Sequence, residues 1–163
     1  MKMDIFDSVI NNDIEAIKKY IADGNDINVT DTFGNSLLHY ASYRGNHPLI
    51  HLLFDAGINV NARSILGSTA LFTAVLKNDR ATVQLLTAIG LNINHINDDH
   101  GGTLLHLFAA LGRLDCVQTL LEIGIDTTIL NLKGKKAIDC VPEGYNAIIR
   151  LLEAHEAKTG ATH

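Results

Sequence analysis

Eight histidines, two cysteines and a few adjacent carboxylates are the side chains of this chain with most chemical potential. The densest group is His95-Ile-Asn-Asp-Asp-His100, where His95, Asp98, Asp99 and His100 bring two imidazoles and two carboxylates onto one short segment. Zinc or a similar ion accepts that donor set. Closely spaced polar residues also make an ordinary solvated turn, and that reading is the stronger here, so no metal or cofactor is expected. Asp98 and Asp99 sit side by side without a cleft to raise a pKa, as acid–base chemistry requires. The chain has no Gly-rich phosphate loop, no Gly-x-Ser-x-Gly elbow and no Cys-x-x-Cys pair. No catalytic activity is expected. Cys116 and Cys140 fall among helical neighbours and read as small buried thiols rather than as a disulfide or a reactive pair, which implies a reducing, cytoplasmic setting.

The elements that position these groups follow from glycine spacing. Gly24, Gly57, Gly90 and Gly124 close one recurring phrase and Gly34, Gly67, Gly101 and Gly134 open the next, a period of 33 residues with one residue inserted near Asp98. In the second copy Leu37, Leu38 and Ala41 form an apolar helical face, Gly45 and Asn46 break it, and Pro48 starts another helix carrying Leu49, Ile50, Leu52 and Leu53. Gly57 ends that helix, and Ile58 to Asn61 extends into a hairpin. One such helix pair cannot bury both of its sides, so the period predicts a stacked array.

Copies that read Asp31-Thr-Phe-Gly-Asn-Ser-Leu-Leu-His-Tyr-Ala and end Asp55-Ala-Gly-Ile-Asn-Val-Asn-Ala62 resemble the ankyrin repeat. The resemblance extends over nearly the whole chain. It implies an all-α solenoid of helix-turn-helix-hairpin units, with about five repeats at roughly 1–30, 31–63, 64–97, 98–130 and 131–157. These form a single domain over 1–157, followed by a polar tail at 158–163. The first and fifth units replace consensus residues with Asp4, Asp7, Asn11 and Asn12, and with Lys135, Lys136 and Asp139, so both read as polar caps and the array as complete. The resemblance gives His39 and His106, three residues after Ser36 and Thr103, structural hydrogen bonds between hairpin and first helix. The third unit has Phe72 in that place, and no unit keeps the usual Pro. Asn61 and Asn94 occupy a hairpin position that is hydroxylated in some animal members of the family, although both are also plain consensus residues.

The resemblance further implies a non-catalytic module that binds a protein through hairpin tips and the exposed side of the first helices. By register, that surface carries Phe33, Asn35, Tyr43 and Arg44 from the second unit, and Ile65, Leu66, Leu76 and Lys77 from the third. His100 and Leu111 come from the fourth. A face left uncovered by the stack should be polar, yet Phe33, Tyr43, Ile65, Leu66, Leu76 and Leu111 are apolar, which marks an interaction site. Two other roles remain open: an inhibitor or immunity-type protein blocking a toxic enzyme, and a bacterial or viral effector acting on a host protein. A net charge of −5 suits a basic target and supplies no field for nucleic acid or anionic lipid. No apolar run reaches membrane-spanning length. The protein is expected to be a monomer, with pairing of two copies through the apolar groove as the alternative.

Overall fold

The computed structural model describes residues 4–160. Among them every regular element is helical, apart from one isolated antiparallel bridge between Thr30 and Ser36. The helices come in pairs: α1 (Ile5–Ile10) with α2 (Ile14–Ala22), α3 (Leu37–Arg44) with α4 (His47–Asp55), α5 (Ala70–Leu76) with α6 (Arg80–Ala88), and α7 (Leu104–Ala110) with α8 (Leu114–Glu122). A short 3-10 helix (Ala137–Cys140) precedes α9 (Asn146–Gly160). The fold class is the all-α repeat solenoid that the period predicts. The chain divides into two compact units, Met1–Leu91 and Asn92–His163.

Two features make each pair begin and turn where it does. Helix N-termini leave unpaired N–H groups, and at α1, α2, α4 and α6 the side chain before the helix takes one of them. Asp4 accepts from the Phe6 N–H, Asp13 from Ala16, Asn46 from Leu49 and Asp79 from Thr82. Between the two helices of a pair the backbone turns through a left-handed residue, occupied in successive repeats by Asn12, Gly45, Asn78 and Gly112 with φ of 56°, 63°, 54° and 68°. Gly and Asn are the residues that tolerate this conformation at least cost, and the position recurs with the repeat.

In the first unit α1 packs on α3, and α3 on α5. Leu37, Leu38 and Ala41 of α3, Leu49, Ile50 and Leu53 of α4, and Leu71, Ala74 and Val75 of α5 are almost completely buried. Each large aliphatic side chain removed from water contributes about 1.5–3 kcal/mol, so stacking rather than any single repeat holds the unit together. The second unit is built around Leu105, Phe108, Val117, Leu120, Ile148 and Leu152, with α7 against the 3-10 helix and α8 against α9.

The fifth repeat differs from the sequence reading. Its first helix, expected to hold Cys140 in a helical turn, is only the 3-10 segment. Pro142 follows, and the residue before a proline is pushed out of the helical region; Val141 is extended at φ −68° and ψ 125°. The inserted residue of the fourth repeat is also placed more closely. Asp31, Ser64 and Asn131 each donate their N–H to the carbonyl four residues on, at Asn35, Ser68 and Lys135, whereas Asn97 donates to Gly102. The hydrogen-bonded register of that repeat therefore opens at Asn97, and the extra residue lies in the tip that follows. Residues 158–160 of the expected tail continue α9; residues 1–3 and 161–163 lie outside the described residues.

Candidate functional site

Histidine chemistry resolves first. His39 Nδ1 receives the Ser36 N–H at 3.1 Å and faces the Ser36 hydroxyl at 2.9 Å, while Nε2 lies 2.9 Å from the Ser68 carbonyl. A carbonyl can only accept, so the proton is on Nε2 and the ring is neutral. Burial lowers the pKa of His39, against weaker opposing effects of the Ser68 carbonyl and Asp31. His106 repeats the arrangement with Thr103 and with the Lys135 carbonyl, at 3.2, 2.9 and 3.0 Å. Both imidazoles are used up in fastening a first helix to the following hairpin.

The remaining chemical candidates are dispersed. Among the described residues no three His, Cys, Asp or Glu side chains converge as a metal site would require. Asp98, Asp99 and His100 lie on the exposed tip, where Asn97 accepts the Asp99 N–H at 2.7 Å. Cys116 and Cys140 are free thiols. Burial, helped by Asp115, pushes the Cys116 thiol up to about 11, and burial also raises Cys140. Thiols held protonated in this way are poor nucleophiles.

What the first unit does present is an apolar groove between α3 and α5. It encloses about 320 Å³ and is lined by Asn35, His39, Tyr40, Tyr43, Ser64, Leu66, Ser68, Thr69, Phe72 and Thr73. Above it stand the hairpin tips. Phe33 is 69% exposed, Ile65 73%, Leu66 65% and Tyr43 58%, with Leu76 less so at 38%. The tips are tied to each other: the Ile65 N–H donates to the Phe33 carbonyl at 2.8 Å. Gly34 permits this approach, because a Cβ there would stand 2.8 Å from the Ile65 nitrogen and φ is +75°.

The two ends of the groove carry different charge. At the hairpin end Asp31 accepts from the Tyr40 hydroxyl at 2.8 Å, the Asn35 amide at 3.1 Å, and the Phe33 and Asn35 N–H groups at 2.8 Å each. Partial burial raises the Asp31 pKa, but these hydrogen bonds outweigh it and the net shift is downward. Tyr40 also packs against Phe6, with the rings tilted 59° to each other and their centroids 5.5 Å apart. At the opposite end the Lys77 ammonium lies 4.4 Å from the Tyr43 ring centroid and donates to the Tyr43 carbonyl. Arg44, next to Tyr43, is exposed.

Eight of the ten residues anticipated as contacts therefore belong to the first unit: Phe33, Asn35, Tyr43, Arg44, Ile65, Leu66, Leu76 and Lys77. Asn35, Tyr43 and Leu66 line the groove, Phe33 and Ile65 stand at the tips, and Lys77 covers Tyr43. His100 and Leu111 lie exposed in the second unit. Burial lowers the His100 pKa, with Asp99 opposing and His106 and His95 adding to the fall. Sequence reasoning missed Tyr40, Phe72 and Thr73, which form the groove wall. Phe72 carried a signal, since a phenyl group replaces histidine there and leaves an apolar surface where its counterparts make polar ties.

Comparison with known proteins agrees with this architecture. The family model described as Ankyrin repeats (3 copies) matches residues 5–97, and the one described as Ankyrin repeat matches residues 100–132. Among curated proteins, the chain is similar to the E3 ubiquitin-protein ligase XBAT32 of Arabidopsis thaliana, with 40% identity over 93 residues. That stretch makes up 56% of this chain and 18% of the relative, so the chain spans less than a fifth of that protein's length.

Proposed function

The chain belongs to the ankyrin-repeat family, whose members typically act as non-catalytic protein-interaction modules, and we propose that it binds a protein partner through the α3–α5 groove and the hairpin tips above it. The observation that carries this reading is the exposure of Phe33, Ile65, Leu66 and Tyr43 around one apolar groove. A free surface gains nothing from such residues, whereas an interface gains about 1.5–3 kcal/mol from each aliphatic or aromatic side chain that it buries fully. Tyr beside a cation is a frequent anchor of binding energy.

The module recognises and holds; another component supplies any reaction. Roles as an inhibitor of a toxic enzyme or as a host-directed effector would use the same surface and differ in the partner. Two free, buried or half-buried thiols suit a reducing cytoplasm. The test is partner capture by wild type and by a Phe33→Ser, Tyr43→Ser, Leu76→Ser variant whose helicity is checked by circular dichroism. Loss of capture by a folded variant is expected. Undiminished capture would remove the groove from the interface.

A further inference from the structure

The groove has a polarity that its apolar lining does not explain. Lys77 and Arg44 are exposed at one end, and among the described residues neither forms an ion pair with a carboxylate. Asp79 feels the charge of Lys77, yet its oxygens serve as the cap of α6, taking the Thr82 N–H at 3.1 Å and the Thr82 hydroxyl at 2.7 Å. At the other end Asp31 is committed to four donors. The groove thus has near Tyr43 two cations outside any ion pair, of which the Lys77 ammonium rests on the Tyr43 ring and carbonyl, and near Tyr40 a committed carboxylate.

We propose, resting on the protein-binding reading above, that the occupant is a short extended segment of another protein with an apolar side chain and a carboxylate three or four residues apart. The apolar side chain enters at the hairpin end beside Leu66, and the carboxylate meets Lys77 and Arg44. The spacing follows from dimensions. α3 has eight residues, so it is about 12 Å long. An extended chain advances about 3.3 Å per residue, so three to four residues span the distance from the tips to the cationic end. An acidic residue at the Asp31 end would meet like charge instead.

The chain's net charge of −5 adds a constraint. Long-range attraction favours basic partners, so an acidic segment is recognised only at contact, inside the roughly 8 Å over which physiological salt leaves charges unscreened. Selection between acidic and basic segments therefore falls to Lys77 and Arg44 themselves.

The experiment is selection of the full chain against a display library of random peptides, followed by affinity measurement of the enriched peptides on wild type, on an Arg44→Glu, Lys77→Glu variant and on Phe33→Ser, Tyr43→Ser, Leu76→Ser. Enriched peptides are expected to carry Asp or Glu three or four residues from a large apolar residue. Charge reversal is expected to weaken them about tenfold and to favour versions with Lys in place of the acid. A Lys77→Gln, Arg44→Gln variant, which removes the two charges without reversing them, should weaken them less. Peptides that need the apolar anchors but ignore the charge reversal, or that prefer basic residues, would overturn the acidic class while leaving the groove as the site. Peptides indifferent to both variants would overturn the groove itself. Absence of enrichment together with concentration-dependent dimers in sedimentation would replace the peptide by a second copy of the chain.

Discussion

The imidazole of His39 joins two repeats: its Nδ1 is held by Ser36 at the start of its own helix, and its Nε2–H ends on the carbonyl of Ser68, 29 residues further along the chain. A side chain used as a local cap is thereby also a link in the stack. His106 does the same with Lys135. Removal of the His39 ring leaves the buried Ser36 N–H without a partner, a loss of about 1–3 kcal/mol, while the Ser68 carbonyl keeps the Ser64 N–H.

His39 makes stability depend on pH in a definite direction. Its folded pKa lies below the ordinary 6.5, because burial disfavours the charged ring. The unfolded chain then takes up the proton first, so the contribution of His39 is full above about 6.5 and declines as pH falls below it. Asp31, whose pKa is lowered from 3.8, acts in a separate and more acidic window. Urea midpoints measured from pH 7.5 to 5 should decline less steeply in His39→Gln than in wild type, although the variant is less stable throughout. An unchanged slope would mean that the ring is not neutral in the folded state.

Gly45 should not accept a side chain. Its φ is +63°, and a Cβ would approach the Asp79 carboxylate oxygen to 2.7 Å, disturbing the cap of α6. Gly45→Ala is expected to cost at least about 1–2 kcal/mol from the left-handed backbone alone. Gly45→Asn, which copies Asn12 and Asn78, should pay less for the backbone but still meet the carboxylate. Thermal unfolding of the two variants separates the contributions.

Ser42 offers a gain in stability. Its hydroxyl is buried in α3 without a hydrogen-bond partner, and alanine is the better helix former. Ser42→Ala should raise stability by about 1 kcal/mol. A fall in the urea midpoint would contradict the unpartnered hydroxyl.

Thiol labelling should distinguish the cysteines. Cys116 is buried, with its pKa raised to about 11, so it should react with iodoacetamide only when the protein opens. Cys140 is half-buried and should be modified sooner. Equal rates without denaturant would mean that α8 does not shield its thiol.

The periodic part of this molecule was legible because it depends on short, fixed offsets. Three residues separate Ser36 from His39 and Thr103 from His106, and glycine spacing locates the turns. Contacts across repeats were harder to read. Arg44 and Lys77 share a repeat position, but only the packing of α5 on α3 brings the Lys77 ammonium over Tyr43. Phe72 was noted as a missing histidine rather than as a groove wall. The shortened first helix of the fifth repeat has its signal in Val141-Pro142, a departure from the repeat pattern that periodicity alone does not register.

The main-chain bond from Ile65 to Phe33 bears on how fast and how selectively the surface can work. Loops that must freeze on contact lose conformational entropy at that moment, which lowers affinity and admits many shapes. Here folding itself settles the spacing of the two tips. The arrival of a partner orders little that is not already ordered, and a segment whose side chains are wrongly spaced has no adaptable loop to accommodate it.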